Sequence, residues 1–234
     1  MKHHYLYAIV DRLPGRWRPP TAGLAGAAVV PRRVEDLVVL GSLLDTVPAP
    51  SPRTLAMHQD VVATVLDARA TLPFAYGTAV PAARLLDWLA AHHAEVTAAL
   101  ATVRGCVEMT VRLLCLDRAI EPQLAGRAPA VAAEPAGELQ ALAESLVERA
   151  ALPDWRYRPS GRAGNVAAAI AFLVPRGEVP AFLARIAPVA SHAAGVAVVP
   201  TGPWPPYSFV PELGRAPLAR VPATAFQAAG RRVG

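Results

Sequence analysis

The sequence predicts an α+β protein in two domains, and three observations lead there. Hydrophobic periodicity switches at Gly105 from a helical spacing to strict alternation, with Val107, Met109, Val111 and Leu113 on one side and Glu108, Thr110 and Arg112 on the other. From that point the stretches read strand (105–117), helix (138–151), strand (154–158), strand (165–174), helix (178–194) and strand (196–200). This βαββαβ order is that of a ferredoxin-like split β-α-β domain, an antiparallel sheet with both helices on one face. Finally, 234 residues are enough for two domains of ordinary size. Residues 1–104 are therefore expected to form an N-terminal mixed α/β domain. Residues 105–234 are expected to form the ferredoxin-like domain, ending in an extended proline and aromatic segment.

In chain order, Tyr5-Leu6-Tyr7-Ala8-Ile9-Val10 is rich in aromatic and β-branched residues and is bounded by Asp11 and Pro14, which predicts an opening strand. A basic loop with Trp17 follows. Leu24 to Val30 and Val34 to Leu40 are expected as two short strands split by Pro31-Arg32-Arg33. Ser51-Pro52 supplies an N-cap and a first-turn proline, so a helix begins there. Leu55, His58, Val62, Val65 and Leu66 share its buried face, while Gln59, Asp67 and Arg69 point away. Thr71 to Thr78 is a connector in which Pro73 breaks the helix and Gly77 permits an unusual backbone angle.

A second helix starts near Pro81 and is the longest regular element. Leu85, Leu89, His92, Val96, Leu100 and Val103 form its apolar stripe, and Gly105 ends it. Beyond the alternating strand, Ala119 to Gly137 has no period and is expected as a loop. Leu139, Leu142, Leu146 and Val147 give the next helix its apolar face. Trp155 and Tyr157 lie on one side of a strand, Ser160 to Gly164 turn, and Asn165 to Val174 is apolar enough to be a central strand. A helix from Glu178 to Ala194, stopped by Gly195, leads into the last strand.

Composition narrows the function classes. Mean hydropathy is +0.31, yet the longest apolar run, Val166 to Val174, is about half of what a membrane-spanning helix requires. The run Tyr5 to Val10 is too short for a signal-peptide core, so a cytoplasmic location is expected. On a strand, Cys106 and Cys115 would fall on opposite faces about 30 Å apart, too far to pair. The net charge of +5 comes mostly from arginines spread along loops, weak support for a nucleic-acid partner. The apolar strand 165–174 also lacks the exposed aromatics with which RNA-recognition modules stack bases.

None of the six histidines stands at metal-ligand spacing with a Cys, Asp or Glu, so no metal site is expected. His58 and His92 are expected at the core and its edge, His93 at the surface. Gly161 to Asn165 lacks the lysine of a phosphate loop, no nucleophile elbow occurs, and Glu144 and Glu148 are a solvated pair. Neither a catalytic centre nor a cofactor is expected.

The most improbable run is Thr201-Gly202-Pro203-Trp204-Pro205-Pro206-Tyr207-Ser208-Phe209-Val210. Three prolines in four positions hold φ and remove backbone donors, so the run must be an extended or turning edge segment. Its three rings must bury against the protein's own body or against a partner. The expected division sends Trp204 inward to stabilise the second domain and leaves Tyr207 and Phe209 nearer a partner surface. The candidate partner-binding residues are thus Trp204, Pro205, Pro206, Tyr207 and Phe209.

Several stretches together resemble one family, the gas vesicle GvpL/GvpF proteins. They are Tyr5 to Val10, Leu55 through His58 to Val61, Leu72-Pro73-Phe74-Ala75-Tyr76-Gly77-Thr78, Asn165 through Phe172 to Pro175, and Gly202-Pro203-Trp204-Pro205-Pro206-Tyr207-Ser208-Phe209. Ala75 stands where the family commonly has a basic residue, and Tyr76 where it usually has Phe. The resemblance implies a non-enzymatic accessory or minor structural protein of gas vesicles, with two domains, the second ferredoxin-like. It also implies as partners the gas vesicle shell subunit and other gas vesicle accessory proteins. The alternative class is a small-molecule-sensing ferredoxin-like regulatory module, which would need a polar-lined pocket.

Overall fold

The computed structural model describes residues 2–116, 136–159, 166–192, 195–211 and 213. The expected loop Ala119 to Gly137 lies almost entirely outside these residues, as does the turn Ser160 to Gly164. Two compact units are present. One runs to Glu108 and includes the stretch that begins at Trp204; the other runs from Met109 to Pro203.

In the first unit, β1 (His3–Val10), β2 (Val30–Val34), β3 (Leu37–Leu44), β4 (Thr71–Pro73) and β5 (Ala79–Pro81) form an antiparallel sheet in the order β2-β3-β1-β4, with β5 also pairing with β1. Every residue from Tyr5 to Val10 is completely buried, as a central strand with covered faces requires. The register against β3 shifts between Leu6 and Ala8, which makes Tyr7 a bulge. The extra residue changes the phase of the strand, so that Tyr5, Tyr7, Ala8 and Val10 all join one core cluster with Val61 and Val62 of α1 (Pro52–Ala63) and Val65 just after it. Opposite the bulge stands Gly41, where a Cβ would meet the Tyr5 carbonyl oxygen at 2.8 Å. The strands approach here as closely as only glycine permits.

Two expectations fail in this region. Leu24 to Val30 is not a strand: Leu24–Gly26 is a 3-10 turn, and the strand begins only at Val30. Pro31-Arg32-Arg33 does not separate two strands but forms the body of β2, and the hairpin turns at Glu35-Asp36. Pro31 is tolerated because β2 is a sheet edge, where a missing donor leaves no ladder bond unmade. The turn needs a left-handed residue, which Glu35 supplies at φ 52° without glycine to announce it. The connector after α1 likewise contains the short strand β4, and Gly77 takes φ 91° as expected.

Helix α1 has the expected start. Ser51 Oγ accepts from the Thr54 N–H, and Thr54 answers with a bond from the Ser51 N–H to its own hydroxyl, a reciprocal capping box ahead of Pro52. His58, Val62 and Val65 face the core, but Leu55, expected on the same buried face, is 39% exposed. Helix α2 (Leu85–Thr102) buries Leu85, Leu89, Val96 and Leu100 as its stripe demands.

In the second unit, β6 (Cys106–Cys115), β7 (Trp155–Pro159), β8 (Val166–Pro175) and β9 (Val196–Trp204) form a sheet in the order β7-β8-β6-β9, the ferredoxin-like arrangement. Met109, Val111 and Leu113 of β6 and Ala168, Ile170, Phe172 and Val174 of β8 share one core with α3 (Ala136–Ala150) and α4 (Val179–His192). Both helices thus pack on one face. The rings of Phe172 and Phe182 lie 5.2 Å apart at its centre. The edge strands of both sheets carry prolines: Pro31 in β2, Pro73 in β4, Pro81 in β5, Pro159 in β7, and Pro200 and Pro203 in β9. Of the interior strands, β1, β3 and β6 carry none, and β8 has one only as its last residue, Pro175.

Candidate functional site

The improbable stretch begins on β9. That strand continues four residues past the expected end at Pro200, and as an edge strand it accommodates Pro200 and Pro203. Trp204, its last residue, is 50% exposed. Pro205 and Pro206 are buried, and Tyr207–Phe209 form a 3-10 turn in which the Tyr207 and Phe209 N–H groups donate to the carbonyls of Pro205 and Pro206. The turn carries Phe209, 8% exposed, and Tyr207, half-buried against the core of the first unit.

The expected division is therefore reversed. Trp204 faces outward while Phe209 and the Tyr207 ring pack inward. Strand alternation could not foresee this, because the chain leaves the strand at Pro205 and joins a different hydrophobic core.

Glu108 anchors the turn. Only 6% exposed, its carboxylate accepts from the Ser208 N–H at 2.7 Å and from the Ser208 hydroxyl at 2.9 Å. A buried carboxylate is tolerated where charge-assisted bonds replace its hydration. Period-two alternation placed Glu108 on the polar side of its strand and gave no sign that it would be covered. The Tyr207 hydroxyl is buried with no hydrogen-bond partner among the described residues. Burial, followed by the proximity of Glu108, pushes its pKa well above the ordinary tyrosine value.

Beside this turn lies an aromatic cluster built from separate parts of the first unit. The Tyr5 ring packs 5.0 Å from Tyr7, 5.7 Å from His58 and 5.9 Å from Tyr76, and His58 lies 5.5 Å from Tyr7 and 5.8 Å from Tyr76. Its polar atoms are wired in series. The Gly77 N–H donates to the Tyr5 oxygen at 3.2 Å, the Tyr5 hydroxyl meets His58 Nδ1 at 2.8 Å, and His58 Nε2 meets the Phe74 carbonyl at 2.9 Å. A carbonyl can only accept, so Nε2 carries the proton and Nδ1 accepts from Tyr5. Burial holds His58 below its ordinary pKa and Tyr5 above its own. Tyr7 bonds Ser42 Oγ at 3.1 Å and accepts from the Leu24 N–H, and Tyr76 donates to the Pro48 carbonyl. Four of the five stretches that carry the family resemblance thus meet in one core: Tyr5 to Val10, the His58 helix, Leu72 to Thr78, and the terminal turn through Tyr207. Only the Asn165 to Pro175 stretch lies elsewhere, in the second unit. With each imidazole nitrogen engaged and 2% of the residue exposed, His58 holds these segments in register and offers no base to a substrate.

His92 sits at the core edge, its ring stacked on Trp88 at 4.7 Å. His93 Nε2 lies 3.1 Å from Glu35 and 3.2 Å from Asp36, and the three ligand atoms fall within 4.8 Å of one another. These residues could hold a cation, although both carboxylates are largely exposed and the geometry equally suits an ion pair with protonated His93. Residues 57 apart in sequence give no spacing signal for such a set. Cys106 and Cys115 are both free thiols. In the second unit, a groove of about 570 Å³ is lined by Leu183, Ile186, Ala187, Ala190, Val198 and Pro200, a lining without the polar side chains that a metabolite sensor would use. Among the described residues no helix is long and apolar enough to cross a membrane.

Comparison with known proteins agrees with this architecture. The profile of the family described as gas vesicle synthesis protein GvpL/GvpF matches residues 3–137 and 116–211. Gas vesicle protein L2 of Halobacterium salinarum is 27% identical over 201 residues, covering 69% of this chain and 72% of that protein. The crystal structure of gas vesicle protein GvpF from Anabaena sp. PCC7120 superposes with a TM-score of 0.68 at 16% identity, over 90% of this chain and 99% of that one. GvpF from Microcystis aeruginosa gives a TM-score of 0.69 at 14% identity, over 89% and 99%. At these identities the two structures speak for the fold.

Proposed function

The chain belongs to the gas vesicle GvpL/GvpF family, and from that premise we propose that it is a non-enzymatic assembly factor, which binds the hydrophobic shell subunit in the cytoplasm and works with other gas vesicle accessory proteins. A shell subunit with an apolar gas-facing surface and open strand edges aggregates in water unless something covers it before assembly. The observation that carries the reading is the setting of Trp204. Its ring is half exposed at the end of an edge strand, Pro203 precedes it, and the buried pair Pro205-Pro206 fixes the chain behind it. A pre-stiffened aromatic loses little entropy on docking, which favours a recognition role for Trp204. Pro205, Pro206, Tyr207 and Phe209 then act as its foundation and contribute to binding by holding it in place.

The test is dilution of denatured shell subunit into buffer with and without this protein, followed by light scattering. Wild type should suppress scattering, and Trp204→Ala should suppress it less while melting at the same temperature. Equal scattering with and without the wild-type protein would sink the proposal.

A further inference from the structure

The first unit also has an apolar groove with exposed walls. On the sheet face opposite α1, Leu6 and Val39 form the floor of a cavity of about 210 Å³, with Val30, Leu43 and Leu85 as its walls. Two of those walls are among the most exposed large apolar side chains of the described residues, Val30 at 54% and Leu43 at 44%. One end is basic. Arg32, His4 and Gly41 complete the lining, and the Arg32 side chain has no ion pair or hydrogen bond among the described residues. Its charge is felt in the cavity, because His4 is held below its ordinary pKa first by burial and then by Arg32.

We propose that this groove docks an apolar helical segment of the gas vesicle shell subunit that carries an acidic side chain one turn from its apolar anchor. The inference rests on the reading of the chain as a shell-subunit binder and names where and how such binding occurs. Three features choose the occupant. An added strand would need a free row of backbone donors and acceptors, and prolines interrupt the edge strands of both sheets, β2 beside this groove included. A helix satisfies its own backbone and meets a sheet face through side chains alone. The cavity has room for one or two large apolar side chains, and the Arg32 side chain in its lining, without an ion pair among the described residues, favours a carboxylate over a neutral or basic neighbour.

The experiment measures binding of overlapping shell-subunit peptides and of the intact shell subunit to the full-length protein, as wild type and as Leu43→Glu, Arg32→Glu and Leu55→Glu. All three positions are exposed, so melting should stay close to wild type. An apolar peptide with an acidic residue should bind wild type and Leu55→Glu alike. It should lose at least about tenfold in affinity against Leu43→Glu and Arg32→Glu, as for an interface anchor. Changing the acidic residue of the peptide to Lys should restore binding to Arg32→Glu. If wild type binds the shell subunit and the two groove variants bind it equally well, the groove is the wrong place, and the assembly-factor reading stands without it. Should wild type bind neither peptides nor intact subunit, both the groove and the assembly-factor reading fall.

Discussion

The Tyr5 hydroxyl donates to His58 Nδ1 across 2.8 Å, and this one bond fixes the imidazole as the neutral Nε2–H tautomer that the Phe74 carbonyl requires. A second proton on the ring would have nowhere to go. The Tyr5 oxygen already accepts from the Gly77 N–H, so protonated Nδ1 would face a hydroxyl forced to turn its own hydrogen away.

Acid should therefore weaken the first unit through His58. Burial lowers its folded pKa from the ordinary 6.5. Below that value the unfolded chain takes up a proton that the folded chain refuses, so stability present above pH 6.5 is lost as the pH falls towards the lower folded value. His4, also lowered, contributes in the same direction. Urea unfolding from about pH 7 to about pH 5 should show the decline, and its slope should be smaller in His58→Gln and in His4→Gln. Equal slopes in all three proteins would contradict this account.

Tyr5→Phe should destabilise without emptying the core. It leaves the buried His58 Nδ1 without its partner, at a cost of about 1–3 kcal/mol, whereas the Gly77 N–H sits on an exposed residue and can turn to water. A loss below about 1 kcal/mol in denaturant unfolding would mean that the series contributes little to stability.

Glu108→Ala should loosen the turn that follows Trp204. Ser208 loses the acceptor for both its N–H and its hydroxyl, and stability should fall by about 1–3 kcal/mol. Hydrogen exchange should accelerate first at Tyr207–Phe209. Exchange unchanged there would show that the prolines alone hold the turn.

The three aromatic residues of the stretch should separate cleanly by melting. Phe209→Ala removes a buried ring and should cost about 3–5 kcal/mol, whereas Trp204→Ala, half exposed, should cost much less. Tyr207→Phe should be neutral or stabilising, because the hydroxyl it removes is buried without a partner. A strongly destabilised Tyr207→Phe would reveal a bond to that hydroxyl.

Pro31→Val restores a backbone donor to the edge strand β2. Sedimentation should then detect self-association that wild type lacks at the same concentration, with the fold unchanged. A monodisperse variant would show that Pro31 does not guard the edge.

Much of this protein is written locally. The N-cap at Ser51 with Pro52 behind it, the apolar stripe of α2, the alternation of β6 and each step of the βαββαβ order are local patterns, and each stands where its pattern puts it. The strings Leu72 to Thr78 and Gly202 to Phe209 are the most specific of the five stretches that carry the resemblance to the family whose profile matches the chain. The strand limits at Leu24 to Leu40 were not legible, because Pro31 is acceptable only once β2 is known to be an edge and Glu35 makes its turn without glycine.

Tertiary structure alone decided which of these residues meet. The bulge at Tyr7 brings Ala8 and Val10 onto the face that Tyr5 and Tyr7 already share, and no period in the sequence marks it. Glu108 and Ser208, a hundred residues apart, are partners because the chain returns to its first core after Pro205, and that return sends Trp204 out and Phe209 in. The physical reason is common to all three cases. Local pattern says that a side chain must be buried, but the element that buries it belongs to a distant stretch, and only the folded chain brings that stretch alongside.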